Sequence, residues 1–373
     1  MEHKHDTLRH ILYAAGFLFI AGFLFTRLTY LYRVTGLNER MNILDYYNER
    51  DNSLDVVVLG GSGIYRFFDP MRAYETSGMT SYSYSCSAMW ATEYIPAIED
   101  IMSRQNPEVL VIDARRYLPV KTDREPGDSV RFFTDALDLG LNRFRAVTRY
   151  CRTYGLSLRE SIPYYIELCL YHNNPDALLD PLHWELADNR SDHFENPKYW
   201  KGYGLAYKTT VLDPPRKNSL NTKETAPLTE RGEAMYRELM EYCKGLDCEV
   251  VFLVTPYRVK KEDMTYYNEM ERIAAEYDIP FLNSMHDMDK MRLDFSKDFY
   301  NAHHANTWGA LKFTDYFSNW LHQHYKILNH RNDPAYSDWD DDLDAYKAAE
   351  TLFLQKSSEI IAENNGEEES SDD

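Results

Sequence analysis

Three short apolar runs lie in the middle of the chain. They are Val56–Leu59, Val109–Ile112 and Val250–Val254, and each run contains only apolar residues. A strand covered on both faces has no polar face, and strands of a parallel sheet under helices typically have this pattern. Weaker strand candidates lie at Thr80–Tyr84 and Pro280–Leu282. The runs therefore predict the strands of a parallel sheet.

Segments with helical patterns separate these strands. They are Thr92–Arg104, Glu233–Lys244 and Met264–Tyr277. Alternation of strand and helix is typical of α/β folds, so we predict a three-layer α/β/α sandwich around a doubly wound parallel sheet of the flavodoxin-like type. In such sheets ligands bind beyond the carboxyl ends of the strands. Ser62 lies just beyond the end of the first predicted strand, Val56–Leu59, and is therefore in such a position.

The alternation is interrupted between residues 118 and 221. This stretch has helical and aromatic sequence, including Tyr164–His172 and Trp184–Trp200. We interpret it as a mostly helical insertion, within a core domain of residues 41–330, that covers the site and shapes substrate access. The alternative is a packing appendage without contact to ligand. Turn-rich sequence from Asp213 to Pro227 predicts the return to the core domain.

An uncharged apolar run, Ile11–Phe25, lies near the start of the chain and continues past Arg27 to Tyr32. A membrane span needs about 20 apolar residues, Arg27 can snorkel, and the flanking aromatic residues suit the interface. The apolar residues are not restricted to one face, as a surface helix of a globular domain would require. We predict a single-pass membrane anchor within residues 1–40. A cleaved signal peptide is the alternative, although no small-x-small cleavage site stands out.

The opposite end of the chain, residues 331–373, is strongly acidic. A run from Ser337 to Asp344 leads into a predicted helix, Leu343–Ala362, and the chain closes with the polar stretch Glu363–Asp373. That stretch has too little apolar area to bury, so we predict an acidic helix followed by a disordered tail.

Composition narrows the function classes. The chain has 373 residues, 44% of them hydrophobic, and a formal net charge of −19 at pH 7. Phosphate backbones are bound by basic patches, so we expect no nucleic-acid partner. The histidines and cysteines show no His-Glu-x-x-His or comparable spacing, so we also expect no metal and no cofactor.

The first apolar run ends in Gly60-Gly61-Ser62-Gly63, which predicts a tight turn with one hydroxyl at its tip. A serine hydroxyl is a poor nucleophile unless it is exposed within hydrogen-bond reach of a neutral imidazole. Glycines suit such a turn because they tolerate positive φ and let backbone N–H groups approach a developing oxyanion. Ser62 is therefore the candidate nucleophile, with Gly61 and Gly63 beside it.

A candidate base lies about 240 residues later, just before a predicted helix, Trp308–Tyr325. His304 follows Asn301 by three residues, a spacing that places both on one side of a turn. The third group of a catalytic triad holds the tautomer of the imidazole, and here that group is an amide. Two alternatives remain open: His303 as the base, and Asp298 in place of Asn301.

These segments resemble the SGNH, or GDSL-like, hydrolase superfamily. The resemblance covers roughly residues 50–346 and includes Ser81–Ser85, Asn106–Asp113 and Val254–Tyr257 as well as the two motifs. The chain is similar in particular to membrane-anchored proteins of Gram-positive envelope gene clusters, related to D-alanyl-lipoteichoic acid transfer and polysaccharide O-acetylation proteins.

The chain departs from the family pattern at three places. The usual triad aspartate is Asn301, the usual glycine of the second block is Ser85, and Ala114-Arg115-Arg116 follows Asp113 where the family's oxyanion asparagine has no counterpart. A neutral Asn301 gives no compensating charge to the imidazolium that forms during attack, so activity should fall. The candidate oxyanion or binding residues are Gly61, Gly63, Ser85 and Arg115, with Gly63 and Ser85 donating through their backbone N–H groups.

The resemblance implies a Ser62 nucleophile and an Asn301–His304 pair in a serine-dependent acyl esterase or acyltransferase. Its substrates would be acetyl or alanyl O-acyl groups of cell-envelope polysaccharide or a teichoic-type polymer, with a membrane-bound O-acyltransferase as a further partner. The basic residues that flank the apolar run leave its orientation open, and the resemblance places the large domain outside the cell membrane. The alternative is a catalytically weakened SGNH domain that binds glycan or a membrane acyltransferase.

Overall fold

A sheet of five parallel strands forms the centre of the structure, a computed structural model that describes residues 2–32, 38–172 and 198–371. Its strands are β1 (Val56–Gly60), β2 (Ser81–Ser85), β3 (Val109–Asp113), β4 (Glu249–Val254) and β5 (Phe281–Asn283). Their order in the sheet is β2-β1-β3-β4-β5, and all four neighbouring pairs are parallel. The predicted α/β class and all five predicted strands, including the two weaker candidates, are confirmed.

Helices connect and flank these strands. They are α1 (Glu2–Tyr32), α2 (Asn38–Tyr46), α3 (Ser62–Tyr65), α4 (Pro70–Ser77), α5 (Tyr94–Met102), α6 (Pro119–Thr122), α7 (Arg131–Thr134), α8 (Leu141–Tyr154), α9 (Leu158–Tyr165), α10 (Leu168–Tyr171), α11 (Lys217–Leu220), α12 (Glu230–Cys243), α13 (Lys261–Glu276), α14 (Met288–Met291), α15 (Thr307–His324) and α16 (Ser337–Ser371). The three helices predicted between strands correspond to α5, α12 and α13, with ends that differ by a few residues.

Alternate side chains of the central strands enter two different apolar clusters. Val57 and Leu59 pack in a cluster that includes residues of α5, α12 and α13. Val56 and Val58 pack in a second cluster, which includes residues of α3 and α15. Because successive residues of a strand point to opposite faces, both faces of β1 are covered by apolar side chains. This is the physical reason why the strand sequence is a continuous apolar run.

A small antiparallel ribbon follows the sheet. Its strands are β6 (Phe299–Asn301) and β7 (His304–Ala305), and Asn301 is paired in register with His304. Asn306 then caps α15, because its side-chain oxygen accepts hydrogen bonds from two backbone N–H groups of the first turn. The predicted three-residue spacing of Asn301 and His304 is thus realised across a hairpin turn.

The region predicted as an insertion contains α6 to α11 within residues 118–172 and 198–221. Most of the predicted segment Trp184–Trp200 lies outside the described residues. The guanidinium of Arg143 bonds the carboxylates of Asp135 at 3.3 Å and Glu167 at 2.7 Å, and all three side chains are buried. This ion pair network connects α8 to the segments that flank α7 and α10. Removing one member of such a buried pair typically costs about 3–5 kcal/mol.

One described helix, α1, is long and apolar enough to cross a membrane, over Thr7–Tyr32. Large apolar side chains along it are exposed, as a lipid-facing helix requires. Its last turn contacts the folded domain: Leu31 is buried, and the Tyr30 hydroxyl accepts a hydrogen bond from the Leu139 N–H at 3.3 Å.

The C-terminal helix is longer than the predicted helix Leu343–Ala362. α16 begins at Ser337 and continues to Ser371. Its earlier turns are docked through buried aromatic residues such as Trp339. An acidic residue of this helix, Asp342, bonds the buried Lys201 ammonium at 2.8 Å. Part of the acidic segment therefore belongs to the folded domain.

Candidate active site

Ser62 lies directly beyond the carboxyl end of β1, as the first residue of α3. Gly61, which precedes it, has an extended backbone with φ −99° and ψ −160°. The glycines of this turn were expected to supply positive φ, but Gly60, Gly61 and Gly63 are not among the described residues with positive φ. That expectation was wrong, and the glycines have another function.

Close approach of neighbouring side chains explains the glycines. A Cβ atom on Gly61 would lie 1.9 Å from a terminal nitrogen of Arg116, and one on Gly63 would lie 2.5 Å from a terminal nitrogen of Arg115. Such separations are far below van der Waals contact, so any side chain there would displace a guanidinium. The glycines on either side of Ser62 therefore make room for two arginines.

The imidazole of His304 lies between Ser62 and Asn301. Its Nε2 is 2.8 Å from the Ser62 Oγ, and its Nδ1 is 3.0 Å from the Asn301 Oδ1. The same Oδ1 accepts the backbone N–H of His303 at 2.9 Å, which identifies the atom as the oxygen of the amide. Since an oxygen only accepts, Nδ1 carries the proton and Nε2 presents its lone pair to the serine hydroxyl. This tautomer is the one that a general base requires.

The contacts of His303 and Asp298 bear on the two alternatives that the sequence left open. His303 is exposed, its ring is 5.6 Å from the ring of Tyr257, and His304 is the imidazole that contacts Ser62. Asp298 is fully buried, and its carboxylate accepts hydrogen bonds from the Lys312 ammonium at 2.6 Å and from a backbone N–H at 2.7 Å. It serves the packing of α15 and not the imidazole.

The electrostatic environment keeps His304 neutral. Burial and nearby positive charge lower the pKa of His304 from 6.5 to about 3. Burial is the largest cause, followed by repulsion from Arg115, Arg66, His303 and Arg116. A neutral imidazole is available to accept a proton at pH 7, but the imidazolium that results has no carboxylate beside it and several cations around it.

Ser62 and His304 open into a cavity of about 590 Å³, a size typical of small-molecule sites. Its walls come from the carboxyl ends of the strands and from α13 and α6. The lining residues include Gly63, Asp113, Arg115, Arg116, Val120, Lys121, Tyr257, Lys260, Glu262, Asp263, Tyr267 and His303. Because α6 opens the predicted insertion, the first turn of the insertion contributes to the cavity. The other helices of the insertion, as far as they are described, do not line it.

The four predicted oxyanion or binding residues have different positions. Gly63 and Arg115 line the cavity, whereas Gly61 and Ser85 are not among its described lining residues. Ser85 is buried at the end of β2, and its hydroxyl lies 3.0 Å from the Ser83 hydroxyl. These contacts concern the side chain of Ser85, whereas the predicted oxyanion donor is its backbone N–H, which stays a prediction.

Two arginines near Ser62 have no assigned function in the sequence prediction. Arg66 follows the turn and donates hydrogen bonds to the backbone carbonyls of Gly204, at 2.9 Å, and Leu205, which ties α3 to the predicted insertion. Arg116 lies against Gly61 and lines the cavity. Its position in the short helical turn that follows β3, at the carboxyl edge of the sheet, was the available signal.

Within the described residues no three His, Cys, Asp or Glu side chains come together as metal ligands would. Comparisons with protein-family models, with curated proteins and with solved structures gave no match to this chain. The function must therefore be argued from the geometry of the site.

Proposed function

We propose that the protein is a serine-dependent acyl esterase or acyltransferase with an SGNH-type three-layer fold. The supporting observation is the chain of contacts from Ser62 through His304 to Asn301, because a serine in reach of an oriented neutral imidazole is the signature of an activated nucleophile. The position of Ser62 at the carboxyl edge of a parallel sheet adds to this support.

In the proposed reaction the Ser62 Oγ attacks the acyl carbonyl carbon while the His304 Nε2 takes the hydroxyl proton. The tetrahedral oxyanion collapses, the alcohol oxygen leaves with the proton from Nε2, and an acyl-serine remains. Water or a sugar hydroxyl then attacks this ester while Nε2 accepts its proton. The bond between the Ser62 Oγ and the acyl carbon breaks, and Nε2 returns the proton to Oγ. Water gives hydrolysis, and a sugar hydroxyl gives acyl transfer.

The proposed substrates are acetyl or alanyl O-acyl groups of cell-envelope polysaccharide or of a teichoic-type polymer. The apolar helix α1 supports a place at the cell membrane. The extracytoplasmic side for the large domain is part of the proposal. A membrane-bound O-acyltransferase is the proposed partner, since an acyl group for transfer outside the membrane has to be supplied across it.

A second candidate function is a weakened domain that binds glycan or a membrane acyltransferase without turnover. It is favoured by the neutral Asn301 and by the low pKa of His304, about 3, because both make the imidazolium costly to form.

Labelling of the full chain in detergent micelles by a fluorophosphonate separates the two functions. We expect covalent labelling and hydrolysis of p-nitrophenyl acetate by the wild type, and loss of both in Ser62→Ala. Ser87→Ala is the matched control, since Ser87 is also half-buried and its hydroxyl contacts Tyr65 at 2.9 Å outside the site. Equal labelling of wild type and Ser62→Ala contradicts the nucleophile, and absence of any labelling favours the binding function.

A further inference from the structure

Arg116 is a buried charge that makes no hydrogen bond among the described residues. Only 9% of the residue is exposed, and it lines the cavity beside Ser62. In the part of the chain that the structure describes, its guanidinium has no ion pair either. The buried Glu93 carboxyl interacts with it electrostatically, but burial raises the pKa of that carboxyl, and it accepts the backbone N–H of Trp90. An arginine does not lose its charge in proteins, and an isolated buried charge is costly. A cavity that keeps such a group is prepared for a ligand of opposite charge.

The neighbouring Arg115 shows the contrast. One of its terminal nitrogens donates to the Thr255 hydroxyl at 2.9 Å, both donate to the His303 carbonyl at 3.3 Å, and the guanidinium lies 4.4 Å from the centre of the Tyr257 ring. These contacts hold Arg115 in place between β4 and the β6–β7 ribbon. Of the two adjacent arginines, one is used for structure and the other has its donors available.

The carboxylates of the cavity do not compensate Arg116. The Asp113 carboxylate accepts the backbone N–H of Arg115 at 2.9 Å, and Asp263 accepts the Tyr257 hydroxyl at 3.1 Å. Glu262 is exposed at the rim. Two further cations, Lys121 and Lys260, line the same cavity. The chain as a whole has a formal charge of −19, so this group of cations in the cavity does not follow from the overall composition.

We propose that Arg116 binds an anionic group of the substrate, a phosphate or a carboxylate, next to the ester that Ser62 attacks. The planar guanidinium presents paired donors that match these oxyanions, and it binds them through charge-assisted hydrogen bonds. That the anion belongs to a substrate depends on the proposed acyl chemistry, whereas the existence of the anion site does not. The inference narrows the acyl-bearing polymer to one with a negative charge close to the acylated position.

Anion binding also has a consequence for the base. Arg116 is one of the charges that lower the pKa of His304, so neutralising it raises that pKa toward its ordinary value. The charged substrate then supplies part of the negative charge that Asn301 does not. Binding and activation of the base are thereby linked.

The test uses the full chain carrying Ser62→Ala in detergent micelles, titrated calorimetrically with inorganic phosphate and, separately, with acetate. We expect saturable phosphate binding that weakens at least tenfold when Arg116→Gln is added. Tighter binding of phosphate than of acetate indicates a phosphate-bearing substrate, and the reverse order indicates a carboxylate. In histidine NMR spectra, phosphate should raise the pKa of the His304 signal, which is assigned by its loss in His304→Gln.

Arg152→Gln is the matched control, because Arg152 is exposed on α8 and its loss changes the net charge equally. Gly61→Ala is a second variant that keeps the charge but displaces the guanidinium, and it should also weaken phosphate binding. No saturable binding, unchanged binding in Arg116→Gln and Gly61→Ala, or an equal loss in Arg152→Gln overturns the anion site. Because Ser62 is absent throughout, the anion site can fail while fluorophosphonate labelling succeeds, and the reverse.

Discussion

Strand β1 has an imidazole near each of its ends, and the two differ in what surrounds them. Before the strand, the His330 Nε2 lies 3.1 Å from the carboxylate of Asp55, and both residues are buried. Beyond the strand, His304 contacts an amide on one side and the Ser62 hydroxyl on the other, and opens into the cavity. The first imidazole is paired with a charge and closed off, and the second is paired with a neutral group and accessible.

The partners explain the difference. Asp55 also accepts the backbone N–H and the hydroxyl of Thr80, at 3.0 and 2.9 Å, and the His330 ring is 3.8 Å from the Tyr336 ring. This group joins β1 to the segment before β2 and to the segment before α16, so it stabilises the fold. At the other end the positive charges around His304 destabilise its protonated form. A carboxylate–imidazole pair is therefore present where it holds segments together and absent where proton transfer is proposed.

The largest expected effect separates the two histidines by function. His304→Ala removes the proposed base and should lower the rate of fluorophosphonate labelling by at least about 10³-fold, as loss of a triad member does. Its melting temperature should change little, because His304 is only half-buried beside a cavity.

His330→Ala is the counterpart at the other end of the strand. It should lower the melting temperature and leave the labelling rate of the folded protein within about twofold of the wild type, since it contacts no part of the site. Similar losses of labelling in both variants would show that His304 contributes only through folding.

Asp55→Asn is the next largest change and concerns stability. The amide keeps the shape of the carboxylate, but its NH2 group cannot accept the hydrogen bonds now made by Thr80 or His330. A buried donor left without an acceptor costs about 1–3 kcal/mol, so the free energy of unfolding should fall by that amount in chemical denaturation.

Asp333→Asn is the control beside the same histidine. The Asp333 carboxylate lies 4.0 Å from the His330 Nδ1 and is about half exposed, so an effect below about 1 kcal/mol is expected. If the two variants lose equal stability, the Asp55 carboxylate is not the distinguishing partner.

The sequence predicts the sheet well for a physical reason. Strand β3 is buried on both faces, so all four residues from Val109 to Ile112 are apolar. The C-terminal helix is harder to predict, because the acidic Asp342 is held by Lys201, which lies about 140 residues earlier in the chain. From composition alone we expect such a residue to be solvated, because its ion-pair partner can be identified only from the folded structure.

The candidate site also combines features that the local sequence predicts with features that depend on distant residues. The residue types and chain order of Ser62, Asn301 and His304 are local signals, and the structure brings the three side chains together. The reason for the flanking glycines is not local, because it depends on the close approach of Arg115 and Arg116 from the turn that follows β3. Sequence reasoning therefore identifies the reacting groups better than their electrostatic surroundings.

The smallest expected effect comes from making the second imidazole resemble the first. Asn301→Asp places a carboxylate at the Nδ1 of His304, and an opposite charge at this distance typically raises the pKa of an imidazole by about 1–3 units. The base acts only when neutral, so labelling by the wild type should stay constant from pH 8 down to pH 5, given a pKa of about 3. In the variant the loss of labelling at low pH should begin about 1–3 units higher, while the rate at pH 8 should be preserved or increased because the imidazolium formed during attack is stabilised.

Asn319→Asp, on the exposed face of α15, adds the same charge away from the site and should leave the pH profile unchanged. A profile of Asn301→Asp that coincides with the wild type would mean that Asn301 does not set the protonation of His304, and the contrast between the two ends of β1 would then have no catalytic meaning.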